Sequence, residues 1–156
     1  MPHREAPPIS EIKIEAFSHA TEDPDKVKNA MLAVLPSHLR ESVKFSKEVL
    51  RGYYGNPVVV MRITIRDKGM IRDVVEHIAS KLDSLDKKLL ESTFDLRTFK
   101  AKTFYMRFSK DEAYRGNLVL TNCGEVIKVS LSFTSIKNKR KLMKVCRELG
   151  LLKSEG

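Results

Sequence analysis

Six cations crowd near one end of the chain, Lys137, Lys139, Arg140, Lys141, Lys144 and Arg147, with no acidic residue between the first and the last. Lysine and arginine at this density suit phosphate, because each cation neutralises a phosphate and releases its counter-ion. At 100° per residue, Lys137, Arg140, Lys144 and Arg147 fall on one helical arc. Leu142, Val145, Cys146, Leu149 and Leu152 fall nearly opposite, and Lys139 and Lys141 flank the two arcs. A helix over about 136–149 would lay its apolar side on the protein body and hold four cations outward, about 5–6 Å apart. The late cations also suit the negative end of the helix dipole.

Two further groups could touch bases. Arg51-Gly52-Tyr53-Tyr54-Gly55-Asn56-Pro57 puts a cation and two rings in a glycine-bounded loop, and unpaired bases stack on such rings. The alternative is a hairpin turn whose tyrosines cover an edge of the core. The letters Gly-Tyr-Tyr-Gly match a KH loop, but that motif needs helices on both sides and here both flanks read as strands. Over 103–108, Phe104, Met106 and Phe108 alternate toward a core, while Tyr105 and Arg107 face the other way and could meet RNA.

Catalytic signatures are missing from the sequence. There is no P-loop, dinucleotide fingerprint or nucleophile elbow. His3, His19, His38 and His77 lack ligand spacing, and Cys123 and Cys146 stand too far apart for a CxxC pair. Glu22, Asp23 and Asp25, with His19 nearby, could hold a metal or act as acid and base. Helix capping already accounts for Asp23 and Asp25. No catalytic residue, metal or cofactor is expected.

The chain that must position these groups has 156 residues, 42% of them hydrophobic, enough for one domain with one core. Residues 1–96 hold 15 basic and 15 acidic side chains, whereas 97–156 hold 14 basic and 5 acidic, so the whole net charge of +9 lies in the last stretch. That asymmetry favours a polyanionic partner. No run approaches the roughly 18 apolar residues of a membrane span. The apolar side of the last helix suits a sheet better than a bilayer surface. The first ten residues carry Pro2, Pro7 and Pro8 and no apolar core of a signal peptide. With two cysteines and no disulfide framework, a reducing cytoplasm is the simplest setting.

Periodicity predicts a strand over 11–17 and a helix opened by Asp23 as N-cap with Pro24 at its first position. A hairpin over 42–50 and 57–66, a helix over 69–85 and a short helix over 86–93 follow. Then come a strand over 103–108, a polar turn or single helical turn over 110–117, a short strand over 118–120, a strand over 127–133 and the basic helix. The expected architecture is α+β in two layers: a mostly antiparallel sheet of about five strands with helices on one face. Residues 1–10 read as a flexible arm and 11–152 as a single domain.

Three motifs carry a resemblance. They are Ile14-Glu15-Ala16-Phe17-Ser18-His19-Ala20-Thr21-Glu22-Asp23 with Lys26-Val27 after it, Gly52-Tyr53-Tyr54-Gly55-Asn56-Pro57 before a hydrophobic strand, and Lys110-Asp111-Glu112-Ala113-Tyr114 after one. Together they make the sequence similar to an archaeal family of predicted RNA-binding proteins, often described as predicted exosome subunits. The resemblance implies a fold like the ribosomal protein that binds 5S ribosomal RNA, archaeal origin and involvement with an RNA-processing complex. It supplies no catalytic residues. The expected function is non-catalytic RNA binding, with the basic helix on phosphates. The alternative is an interaction module that docks on an acidic protein or on itself.

Overall fold

The alternating residues near the start of the chain form strand β1, Ile9–His19, which buries Ile12, Ile14 and Ala16 and turns Lys13 and Glu15 to the opposite face. The computed structural model describes residues 6–51 and 55–153. The further strands are β2, Phe45–Arg51; β3, Pro57–Ile65; β4, Thr98–Phe99; β5, Thr103–Ser109; and β6, Val126–Phe133. They form one sheet ordered β2-β3-β1-β6-β5-β4, antiparallel at every junction. Ile14 sits between Ile63 and Val129, and Phe104 and Met106 face Leu131 and Val129. In-register β-branched and aromatic neighbours make that face a continuous apolar surface.

The helices are α1, Pro24–Leu32; α2, Lys68–Lys81; α3, Ser84–Ser92; α4, Lys110–Tyr114; and α5, Lys139–Glu148. Met31, Ile78, Leu90, Ala113 and Leu142, one from each, share a single core with the apolar sheet face. Among the described residues, no helix covers the other face of the sheet. Asp23 caps α1 by accepting from the Asp25 N–H at 3.0 Å, with Pro24 at the first turn, as the sequence predicts. The α5 cap is Asn138, whose side chain accepts from the Lys141 N–H at 2.9 Å. Gly150, at φ +82°, closes α5 by letting Leu151 N–H reach the Cys146 carbonyl at 3.0 Å, and Leu151 and Leu152 then dock in the core.

Several expectations are corrected. The sheet has six strands rather than about five, because two-residue β4 is too short for periodicity to reveal. The stretch 118–120 makes only an isolated bridge from Leu120 to Phe108. β1 starts at Ile9, which is buried, so the strand takes the last residues of the expected arm. β2 starts at Phe45, and as an edge strand it leaves Val49 and Leu50 exposed. α5 starts at Lys139, where Asn138 caps it, rather than near 136.

Ser18 breaks the apolar run on the core side of β1: it is 2% exposed, and its hydroxyl has no hydrogen-bond partner among the described residues. A buried unpaired hydroxyl costs about 1–3 kcal/mol. Ser18→Ala is therefore expected to stabilise the protein by about 1 kcal/mol, read as a higher urea midpoint at unchanged slope.

Candidate nucleic-acid interface

The amphipathic pattern of the last helix sets the position of its cations. Leu142 and Cys146 are buried beneath α5, and burial pushes the Cys146 thiol up to about 12. Lys137, Arg140, Lys141 and Lys144 are exposed. Among the described residues, none of these four pairs with a carboxylate.

Two of the six cations are held by carboxylates, which departs from the expected arrangement. Arg147 turns its guanidinium to Glu91 of α3 at 2.9 Å, and the exposed Lys139 meets Asp95 at 3.0 Å. Glu91 and Asp95 lie on α3 and the turn after it, and helical-wheel geometry cannot foresee a neighbouring element. Of the expected outward line, Arg140 and Lys144 remain exposed on α5, with Lys141 exposed beside them, and Lys137 lies exposed just before the Asn138 cap, outside the helix.

A second set of polar groups lies on the uncovered sheet face. Its rows follow the register: Arg62, Glu15, Lys128 and Arg107 cross the sheet side by side, next to a row of Lys13, Ser130 and Tyr105. Arg62 holds Glu15 at 2.8 Å, and Lys13 lies 3.6 Å from Glu11. Arg107 is exposed and meets no carboxylate among the described residues. The Lys128 ammonium stands 4.6 Å from the centre of the Tyr105 ring. A hollow of about 270 Å³ opens here between Phe17, Val60 and Val126, rimmed by Glu15, Arg107 and Lys128. Tyr105 and Arg107 thus face away from the core, as alternation predicts.

Arg51 ends β2, exposed, while Tyr53 and Tyr54 lie outside the described residues. The predicted residues therefore fall in separate places: the α5 cations on the helix layer, Arg107 on the bare sheet face and Arg51 at the end of a hairpin. Sequence reasoning missed Phe17 and Lys128. Phe17 shares the parity of Lys13 and Glu15, and that was the available signal that its ring leaves the core.

The acidic cluster near His19 also takes shape. Lys110, at the start of α4, buries its side chain and gives hydrogen bonds to the Phe17 carbonyl at 2.7 Å, to Glu22 at 3.1 Å and to Glu125 at 3.3 Å. His19 lies 3.0 Å from Glu125. His19, Glu22 and Glu125 bring one ligand atom each within 4.8 Å of one another. The Lys110 ammonium already bonds both carboxylates of this set, so the arrangement is an internal ion cluster. Burial acts to raise the Glu22 pKa, but the His19 N–H together with the hydrogen bond and charge of Lys110 hold it below its ordinary value. Asp23 takes no part and serves as the α1 cap.

With this geometry in hand, likeness to known proteins is informative. The RNA-binding protein PAB1135 of Pyrococcus abyssi is 32% identical over 139 residues, covering 88% of this chain and 90% of its own length. The uncharacterised protein MJ0213 of Methanocaldococcus jannaschii is 33% identical over 150 residues, covering 91% and 99%. Among solved structures, protein AF2318 from Archaeglobus fulgidus, of the DUF54 family, superposes with a TM-score of 0.78 at 25% identity, covering 90% of this chain and 99% of its own. Mth689 from Methanothermobacter thermautotrophicus, also a DUF54 protein, has a TM-score of 0.73 at 21% identity and shares the fold. Residues 11–133 match the family described as RNA binding, and the chain belongs to that family.

Proposed function

We propose that this protein binds RNA without catalysing a reaction, holding phosphates on the exposed cations of α5 and of the residue before its cap. The observation that carries the reading is the set Lys137, Arg140, Lys141 and Lys144, exposed and free of carboxylate partners among the described residues. Cations left without internal partners gain most from a polyanion. The family's RNA-binding description supports the same reading. Phosphate contacts fix position without reading sequence, so shape or strandedness governs the choice of RNA.

Four neutralised phosphates give a log–log slope of affinity against salt of about −3 to −4. Replacing Lys137, Arg140, Lys141 and Lys144 with Ala is expected to flatten that slope by about 3 and leave the thermal midpoint within a few degrees. Arg147 is kept in this variant because Glu91 holds it. Fluorescence anisotropy at several salt concentrations measures the slope, and an unchanged slope removes α5 from the account. A protein that ignores RNA even at low salt is left with the alternative, docking on an acidic partner.

The family resemblance adds two narrower expectations: the fold of the 5S-rRNA-binding ribosomal protein and a place in an RNA-processing complex. Co-purification of RNA-degrading subunits with the tagged protein would support the second, and their absence would remove it.

A further inference from the structure

The bare face of the sheet has a composition that solubility does not explain. Phe17, 51% exposed, lies near the end of β1, opposite Val60 of β3 and two residues beyond the last pair with β6. Val60 and Val126 flank it, and Arg107 and Lys128 rim the same hollow. At about 270 Å³ this depression is smaller than the roughly 300–1,000 Å³ of sites that engulf a drug-sized ligand, so it suits a single flat ring. An exposed ring with two adjacent cations on one side of it fits an unpaired base whose backbone phosphates run along that side. Glu15 also lines the hollow, but Arg62 holds it at 2.8 Å, so its charge is compensated. The Lys128 ammonium already lies over the Tyr105 ring, leaving Arg107 free of carboxylates among the described residues to take the first phosphate.

We infer that this face holds single-stranded RNA, with one unpaired base stacked on Phe17 and its flanking phosphates on Arg107 and Lys128. The occupant is single-stranded because a paired base keeps both of its faces inside the helix and has none to offer a ring. Charge complementarity selects nucleic acid over an apolar peptide, since Arg107 and Lys128 would lose hydration to a peptide without gaining an anion. The inference rests on the RNA-binding reading above and adds to it a second contact surface and a choice of strand. α5 belongs to the helix layer, so the two surfaces lie on opposite layers of the molecule.

The test titrates the full chain with a fluorescent single-stranded uridine-rich 12-mer and with a 12-base-pair RNA duplex. Phe17→Ala is expected to weaken single-strand binding by about 5- to 100-fold, as loss of one stacked base does, and duplex binding by less than twofold. Arg107→Ala should weaken single-strand binding and lower its salt slope by about one charge. Because Phe17 borders Val60, Phe17→Leu serves as the folding control: it keeps bulk without a ring, so it should retain the thermal midpoint and still lose single-strand affinity. Equal losses for strand and duplex, or full single-strand affinity in Phe17→Leu and Arg107→Ala, would overturn the inference. If those two variants bind like the parent while the α5 variant does not, only this inference falls. If none of them changes binding, the α5 reading falls with it.

Discussion

Lys110→Met is expected to cost about 3 kcal/mol of folding stability, a drop in thermal midpoint of about 6–12 °C for a chain of this size. Methionine keeps the length and bulk of the side chain, so the loss isolates the ammonium. The Lys110 side chain is 7% exposed and its ammonium faces Glu22 and Glu125, and removing one member of a buried pair strands the rest at about 3–5 kcal/mol. The lower end applies because Glu22 and Glu125 are 28% and 56% exposed and can rehydrate. The Phe17 carbonyl also loses its 2.7 Å donor. The pH dependence distinguishes this from a packing defect. Glu22 titrates below its ordinary value of 4.5. Its contribution is therefore full above that value and lost as pH falls through the lower, folded one. Without Lys110 the hydrogen bond and charge that help to lower the Glu22 pKa are gone, so burial is less opposed and its carboxyl protonates more readily than in the parent. The stability gap between parent and variant should then narrow as pH falls below 4.5. Urea unfolding at neutral pH and near pH 3.5 measures it, and a gap that stays constant would assign the loss to packing.

Phe104→Ala is expected to cost about 3–5 kcal/mol, the range for emptying a ring-sized core site that cannot collapse. Phe104 is fully buried on β5, and its ring stacks on Phe94 with centroids 5.3 Å apart and planes 28° apart. Such a pair adds about 0.5–1.5 kcal/mol beyond area burial. Phe94 begins the turn that carries Asp95 and Arg97, so the hole loosens the acid that meets Lys139. Phe104→Leu keeps most of the volume and should cost clearly less. Thermal or urea unfolding reads both, and equal losses would show that the site tolerates neither shape.

How much of this was legible in the sequence depends on range. Period-two alternation identified β1, β3, β5 and β6, since each buries one face, and the Asp23-Pro24 pair identified the start of α1. β2 was found as one half of a hairpin, but its place at the sheet edge, which leaves Val49 exposed, is set by the strand order and not by its own residues. The amphipathicity of α5 was legible, but the fates of Arg147 and Lys139 were set by Glu91 and Asp95, distant in sequence. The Lys110 cluster was the least legible. Glu22 and Glu125 meet one lysine only because the sheet order brings the end of β1 to the start of α4, and no local pattern encodes that. The bare sheet face was half legible, since the outward parity of Tyr105 and Arg107 was read while that of Phe17 was not.

The strand order has a kinetic consequence. β1 precedes β3 and β6 in the chain and lies between them in the sheet, so its second edge stays unpaired until 126–133 has emerged. Contacts between such distant segments must overcome loop-closure entropy before they return any stabilisation, which slows folding. A chain stopped before β6 would present the backbone of β1 as an open template for intermolecular pairing. The nascent polypeptide therefore has a long aggregation-prone interval that ends only when its last strand is delivered.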